Sequence, residues 1–390
     1  MLAATVRVTR DLDTAEEAVQ DAYVEALRTW ARDGVPAQPG GWLTTVARRK
    51  ALNVLRRGQT LRTKLPLLLE AAPESTPSDP IPDDRLRLIF ICCHPALSEE
   101  ARIALTLRLV CGLSTPDIAR AFLVAEPTMA ARLTRAKKKI ATARIPYVAP
   151  SSEDLPQRVD AVLSVIHLLY SAGHTAHSGE ALVRDELTAR ALDLARTLHA
   201  LLPADRETAA LLALLLVHHA RRTTRTDDHG RLVRLEHQDR SAWDRDLIAD
   251  ADRLVVTALT AGPPGRFAVQ AAIAALHAQA ASYSQTDWPQ IVTLYDVLLR
   301  IWPSPVVALN RAVAVAMVQG PAAALAEVEA LERDGRLTGY RYLPATKADL
   351  LHRLGRDAEA VQAYQAALAL TDNAAEHEFL AERAQPRTSP

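Results

Sequence analysis

The fold of this chain is decided by the stretch 113–139, which reads LSTPDIARAFLVAEPTMAARLTRAKKK. Its first part predicts a helix over 113–122, and residues 123–125 are short enough to form a tight turn. Pro127 suits the first turn of a following helix, and Ala119 is small where the two helices would cross. The spacing therefore predicts a helix-turn-helix module.

A third predicted helix precedes this pair, so the module as a whole begins at Ser98, which has Glu99 and Glu100 in the first turn that follows it. The basic content of the last helix rises towards Lys139. In such modules the second helix of the pair lies in the major groove, with its early residues near bases and its later cations near phosphates. We therefore expect a DNA-reading surface here.

The composition extends the helical prediction to the rest of the chain. The 390 residues are 49% hydrophobic but only 4% aromatic, with 14 glycines and abundant Ala and Leu. Such usage favours helix over strand. We expect an all-α protein of two or three domains with almost no sheet.

Charge is unevenly distributed although the net charge is zero. Residues 1–149 carry 22 Lys and Arg against 16 Asp and Glu, a balance of +6, and the remainder therefore carries −6. This asymmetry suggests a front part that binds a polyanion, joined to a solvated acidic part.

The first amphipathic helix runs from Asp13 to Arg28, and we expect Asp13 or Thr14 to cap it. One face is apolar and should pack inward. The opposite stripe is polar and should be exposed. The inward face comprises Ala15, Ala18, Val19, Ala22, Ala26 and Trp30, and the exposed stripe comprises Glu17, Gln20, Asp21 and Glu25.

The second helix runs from Trp42 to Arg57, after a break in the Gly/Pro stretch 33–41. Between Trp42 and Lys64 there are seven basic residues and no acid. Such a helix can bind phosphates and read base edges, and an aromatic residue at its start can stack on an exposed base. The alternative is a solvated surface helix with Trp42 buried. The predicted buried side is Leu43, Val46, Ala47, Val54 and Leu55, and the candidate DNA contacts are Trp42, Thr45, Arg48, Arg49, Asn53, Arg56 and Arg57.

Two proline-rich stretches divide the chain. Residues 58–84 hold five prolines and five acids and read as a linker, and a second boundary lies between Ile145 and Pro156. The predicted domains are therefore 1–57, 85–146 and 155–380, with 58–84 between the first two.

A repeat appears late in the chain. Ala360, Tyr364 and Ala367 have the spacing of a tetratricopeptide unit, and Ile291, Tyr295 and Leu298 lie 69 positions earlier. A period near 34–35 residues is typical of stacked helix pairs. We favour repeat-like packing over ordinary helical hairpins.

The order of these elements resembles the extracytoplasmic-function sigma factors of the sigma-70 family. The resemblance rests on Asp13-x-Ala-Glu-Glu-x-x-Gln-Asp, on Trp42-Leu-x-x-x-Ala-Arg, on the linker and on the helix-turn-helix. The phrase from Asp83 to Pro95 and the helical tail resemble the subgroup with a carboxyl-terminal tetratricopeptide-like extension. Members of the family usually have another helix before the point where this chain starts.

The resemblance implies a role for each module. The acidic helix would bind the clamp helices of core RNA polymerase, through Glu16, Glu17, Gln20 and Asp21. The basic helix would engage and open the −10 promoter element, and the helix-turn-helix would recognise the −35 element. The implied −35 contacts are Glu126, Pro127, Thr128, Ala130, Ala131, Arg132 and Arg135, and Lys137 is a further candidate. Many relatives have polar residues where Ala130 and Ala131 stand, so base reading is expected to depend on Glu126, Thr128 and backbone shape.

No catalytic residue, metal or cofactor is expected. Cys92, Cys93 and His94 are consecutive and cannot converge on a metal unaided, so buried thiols are favoured. The chain has no signal pattern or apolar run of about 20 residues, so we expect a cytoplasmic protein without a membrane partner. The extension could bind a protein or peptide regulator. Two rival functions are a one-component helix-turn-helix regulator and a helical enzyme with an accessory DNA-binding module.

Overall fold

The structure is a computed structural model that describes residues 1–62, 83–142, 155–260 and 262–385. Within these ranges it contains eighteen α-helices and two strands of two residues each, so the all-α prediction is confirmed. The chain divides into two compact units, one made of 1–120 with 124–165, the other of 121–123 with 166–390. Of the predicted linker 58–84, residues 63–82 lie outside the described residues, and 58–62 continue the preceding helix.

The first compact unit contains seven helices and the first part of an eighth. They are α1 (Leu2–Thr9), α2 (Leu12–Asp33), α3 (Pro39–Arg62), α4 (Asp84–Cys92), α5 (Glu99–Leu109), α6 (Thr115–Ala121), α7 (Glu126–Thr142) and α8 (Pro156–His174).

Helices α1, α2 and α3 pack against one another. Their shared core includes Val19 and Ala22 from α2 with Val46 and Ala47 from α3, and the small alanines let the helices approach closely. The predicted inward face of α2 is confirmed for Ala15, Ala18, Val19, Ala22 and Ala26, which are all buried, whereas Trp30 is half-buried.

Two predictions about helix ends in this unit are wrong. The cap of α2 is Asp11, whose carboxylate accepts a hydrogen bond from the Thr14 backbone N–H at 2.7 Å, because the helix begins at Leu12, before the predicted caps Asp13 and Thr14. Helix α3 begins at Pro39 rather than Trp42. Proline is favourable in a first helical turn, and Gly40 and Gly41 are tolerated there because few backbone bonds depend on them.

The helix-turn-helix prediction is confirmed in α6 and α7. Ser114 precedes α6, accepts a hydrogen bond from the Asp117 backbone N–H at 3.2 Å and donates one to the Asp117 carboxylate at 2.6 Å. Leu123 has a φ of 53°, the left-handed conformation that the tight turn requires. The buried residues of α7 are Met129, Leu133, Ala136 and Ile140, which recur at helical spacing.

The front of α8 is anchored to α4 inside the same unit. The buried side chain of Arg158 donates a hydrogen bond to the Phe90 carbonyl at 3.0 Å. Cys92 and Cys93 are buried and unoxidised next to this contact, and burial raises the pKa of the Cys93 thiol to about 12. These thiols are therefore neutral packing groups, as expected from the sequence.

The second compact unit comprises the end of α8 and ten further helices. They are α9 (Asp185–Leu201), α10 (Arg206–Ala220), α11 (Arg245–Thr260), α12 (Arg266–Gln279), α13 (Trp288–Ile301), α14 (Pro305–Val318), α15 (Pro321–Asp334), α16 (Tyr342–Arg353), α17 (Asp357–Leu368) and α18 (Ala374–Arg383). The strands β1 (Ser178–Gly179) and β2 (Asp372–Asn373) pair in parallel.

From α12 onward each helix packs on the next one along the chain. Helices α13, α15 and α17 begin at Trp288, Pro321 and Asp357, which are spaced 33 and 36 residues apart. The turn before α17 contains Gly355, whose φ of 74° is the left-handed conformation that ends a helix sharply. Ala360, Tyr364 and Ala367 are buried as the repeat pattern predicted.

Candidate polymerase and promoter interface

The outer stripe of α2 is solvent-exposed. Glu17, Gln20 and Asp21 are exposed, whereas Glu16 is half-buried; Glu25, predicted to be exposed, is half-buried and pairs with Lys50 at 3.3 Å. An apolar continuation, which sequence reasoning missed, lies one and two turns further along: Tyr23 is exposed and Leu27 is 77% exposed. The signal was available, because positions 20, 23 and 27 share one side of a helix. A patch that combines acids, an amide and large apolar side chains is suited to binding another protein.

The basic face of α3 has the predicted orientation. Thr45, Arg48, Arg49, Asn53 and Arg56 are all exposed, and the Arg57 side chain lies outside the described residues. The prediction that Val54 is buried is wrong, since it is 46% exposed. Leu52 is exposed as well, whereas Leu55 is half-buried.

Trp42 is half-buried at the start of α3. Its ring centroid lies 5.4 Å from that of Trp30 on α2, and it packs against the cluster of Val19, Ala22, Val46 and Ala47. The residue therefore has a packing role, and part of its surface is still accessible. Stacking on a promoter base stays a prediction.

Helix α7 exposes the side opposite to its buried residues. Glu126, Pro127, Thr128, Ala130, Ala131 and Arg135 are exposed, while Arg132 and Lys137 are half-buried. The early residues of this surface are small or polar, and the later ones are basic. This is the order in which a recognition helix meets bases and then phosphates.

One ion pair joins two of the candidate surfaces. The Lys137 ammonium on α7 donates a hydrogen bond to the Glu16 carboxylate on α2, and both side chains are 30% exposed. A predicted DNA contact is thereby placed against a predicted polymerase contact. Nothing in the sequence pattern indicated this pairing, because 121 residues separate the two positions.

The polar run 235–244 in the second unit forms an internal network. Arg240 donates hydrogen bonds to the carbonyls of His277 and Ala280, and the Trp243 indole donates one to the Thr224 hydroxyl at 3.0 Å.

Burial lowers the pKa of His167 and of His277 to about 4, with nearby arginines contributing, so both rings are neutral at pH 7. Each ring packs edge-on against another aromatic side chain of the extension, His167 against Phe267 and His277 against Trp288.

Neither a metal-binding cluster nor a membrane-spanning helix is found in the ranges that the structure describes. No group of three or more His, Cys, Asp and Glu side chains there could hold a metal ion. No helix in those ranges is both long and apolar enough to cross a bilayer.

Two families match the helices of the first unit. Residues 2–60, which span α1 to α3, match the family described as Sigma-70 region 2, and residues 87–140, which span α4 to α7, match Sigma-70, region 4. The chain belongs to the sigma-70 family. Its function is therefore promoter recognition in transcription, and its partners by family are core RNA polymerase and promoter DNA.

Similarity to one relative extends over nearly the whole chain. The sigma-70 chain is 44% identical over 388 residues to an uncharacterized protein of Rhizobium meliloti (strain 1021), an alignment that covers 97% of this chain and 91% of that protein. Residues 158–259 match a family of unknown function, DUF6596, which spans α8 to most of α11. The similarity thus includes the extension as well as the two sigma regions.

Proposed function

We propose that this chain is a sigma factor of the extracytoplasmic-function kind, which acts in the cytoplasm, recruits core RNA polymerase to a set of promoters and opens their −10 elements. The supporting observation is that region 2 and region 4 follow one another in one compact unit with both basic faces exposed. A protein of this kind contributes specificity to polymerase and needs no catalytic residue of its own.

The proposed polymerase contacts are on α2. The acids and amide of Glu16, Glu17, Gln20 and Asp21 supply polar recognition, and the exposed Leu27 adds an apolar anchor. Exposed apolar side chains at the centre of a protein interface contribute most of its binding energy, whereas polar groups at the rim determine specificity.

The proposed −10 contacts are on α3, and the proposed −35 contacts are on α7. Arg48, Arg49 and Arg56 would bind phosphates, with Asn53 and Thr45 near bases. In α7, Glu126 and Thr128 are the polar residues placed early enough to reach base edges. Ala130 and Ala131 offer only methyl contacts, which suit a thymine methyl group.

The extension is proposed to be tetratricopeptide-like and to regulate the sigma modules. The spacing of 33 and 36 residues between the starts of α13, α15 and α17 supports the first part. Stacked helix pairs build surfaces that bind a peptide or protein, which supports the second. Comparing transcription by a chain that lacks the extension with transcription by the full chain decides whether the extension activates or inhibits.

In vitro transcription tests the proposed function. The purified chain is mixed with core RNA polymerase and a library of promoter fragments, and we expect co-elution with polymerase and initiation from a subset of fragments. Trp42→Ala is expected to reduce permanganate reactivity of thymines in the −10 element more than it reduces duplex binding. A chain that binds DNA but neither co-elutes with polymerase nor supports initiation is a one-component regulator instead.

A further inference from the structure

A cavity of about 290 Å³ lies among α12, α13, α14 and the segment 234–236 of the extension. Its lining is rich in rings, from His277, Tyr283, Trp288 and Tyr295, together with the apolar side chains of Leu235 and Ile291. The volume is at the lower end of the range for small-molecule sites, about 300 to 1,000 Å³. No residue proposed to contact polymerase or DNA takes part.

Two buried nitrogens of the residues that line this cavity, Trp288 Nε1 and His277 Nδ1, have no hydrogen-bond partner among the described residues. Trp288 is only 8% exposed, and the rings of His277 and Tyr283 meet it edge-on with centroid distances of 5.1 Å. An indole N–H can only donate, and a buried donor without an acceptor destabilises the fold. The cavity therefore lacks one acceptor atom.

The charges around the cavity are already paired. Arg234 contacts the Glu236 carboxylate at 3.1 Å and the Asp349 carboxylate at 2.9 Å. Burial lowers the pKa of His277 to about 4, so its ring is neutral at pH 7. An ionic ligand would have to break the Arg234 pairs, whereas a neutral one leaves them intact.

Helix α14 forms the mouth of the cavity. Asn310 and Val313 line the cavity and are exposed, so this rim is open to solvent. Beyond them lie flat aromatic surfaces, which favour a planar guest because ring faces and edges pack against one another with little loss of conformational freedom.

We propose that this cavity binds a neutral, planar heteroaromatic small molecule whose ring nitrogen or carbonyl oxygen accepts the hydrogen bond of Trp288 Nε1. The ligand would join the segment 234–236 to α13 and α14. The proposal concerns binding by the extension alone and does not depend on the proposed sigma activity.

Two isosteric probes test it on the full-length chain. Quinoline and naphthalene have the same shape, but only quinoline has an acceptor nitrogen. Saturation-transfer NMR at matched concentrations should show quinoline binding about three- to tenfold more tightly, the usual effect of one neutral hydrogen bond. Absence of quinoline binding at millimolar concentrations overturns the proposal.

Variants test whether the two probes bind in this cavity. Trp288→Phe keeps a ring but removes the donor, so quinoline should lose its advantage over naphthalene, while Trp302→Phe should retain it because Trp302 does not line the cavity. Val313→Trp, at an exposed position on the mouth, should weaken both probes at least tenfold with an unchanged circular-dichroism spectrum. A quinoline preference that persists in Trp288→Phe, or probe binding unaffected by Val313→Trp, assigns the binding elsewhere and rejects the cavity.

Discussion

Lys137 on the recognition helix donates a hydrogen bond to Glu16 on the predicted polymerase-binding helix. Each side chain forms this ion pair and is also predicted to contact a macromolecule, which is DNA for Lys137 and core polymerase for Glu16. The pair is partly exposed, so its direct contribution to stability is at most about 1 kcal/mol. Opening the pair costs up to the same free energy, which is a several-fold effect on any binding that needs one of the two groups.

The first prediction follows from that competition. Glu16→Gln removes the carboxylate and frees the Lys137 ammonium for a phosphate, so affinity for a duplex carrying the −35 element should rise several-fold at low salt. The slope of log K against log salt should steepen by about 0.9, the value for one additional phosphate contact. Fluorescence anisotropy of a labelled duplex across a salt series measures both. Glu17→Gln removes the same charge from an exposed neighbour that makes no pair with Lys137; identical effects of the two variants would show that only net charge matters.

The second prediction concerns the outer stripe of α2. The pair of changes Gln20→Ala and Asp21→Ala should weaken binding to core polymerase, and Leu27→Ser should weaken it about tenfold or more, as expected for an apolar anchor. All three positions are exposed, so thermal stability should change by less than about 0.5 kcal/mol. Biolayer interferometry with immobilised core polymerase measures the affinity. Glu99→Ala, exposed on α5, is the control; polymerase affinity that stays at the wild-type value in the stripe variants would exclude this surface.

The third prediction concerns the basic face of α3. Arg48→Ala and Arg49→Ala should each weaken promoter binding and reduce the salt slope by about 0.9 on duplex, or about 0.7 if the contact is to a single strand. Arg28→Ala on α2 removes an exposed arginine that we assign to no DNA contact, and should leave the slope unchanged. Equal slopes for all three variants would mean that these cations act only through the overall field of the protein.

The fourth prediction uses the division of the chain inside α8. The sequence predicts that the second domain ends at 146, but the first compact unit continues to Val165 and includes the buried Arg158. A chain ending at Val165 should therefore be more stable than one ending at Ala149, by roughly 2 kcal/mol or more for the lost apolar burial and buried hydrogen bond. Urea denaturation of the two fragments measures the difference, and equal midpoints would contradict it.

The Val165 fragment also tests regulation by the extension. At matched concentrations and several salt levels, its transcription from a cognate promoter should differ several-fold from that of the full chain, although both bind core polymerase. Equal transcription would leave the extension without a regulatory role, while a failure of both to bind polymerase would instead contradict the proposed function.

The fifth prediction is acid sensitivity of the extension. Burial holds the pKa of His167 near 4, against about 6.5 in the unfolded chain, so the unfolded state binds more protons between these values. Stability contributed by the neutral ring is complete above about pH 6.5 and falls by up to about 1.4 kcal/mol per pH unit towards pH 4. His167→Gln should flatten this dependence in urea titrations from pH 7 to pH 4.5, whereas His229→Gln, at an exposed position, should not. A wild-type chain with constant stability over that range would contradict the burial argument.

The local spacing of apolar residues was enough to predict most of the secondary structure and which face of a helix is buried. Burial of Ala15, Ala18 and Ala22 and exposure of Arg48 and Arg49 follow from the spacing of apolar residues along a helix, which depends only on the chain itself. The helix-turn-helix was predicted in the same way, from Ala119, the turn at 123–125 and Pro127. The family resemblance then supplied roles that no single residue reveals.

Only the tertiary structure decided which residues pack against each helix face. Val54 continues an apolar stripe and is nevertheless exposed, because burial requires a neighbour that sequence spacing cannot supply. Sequence spacing also cannot show which distant residues meet. The sequence therefore predicts Lys137 as a DNA contact but not as the partner of Glu16. It likewise predicts Tyr295 as a packing residue but not as part of a cavity with Trp288. By itself the sequence determined which residues are helical and which face inward or outward. Contacts between residues far apart in the chain depend on how the helices pack in three dimensions, and only the folded structure decided them.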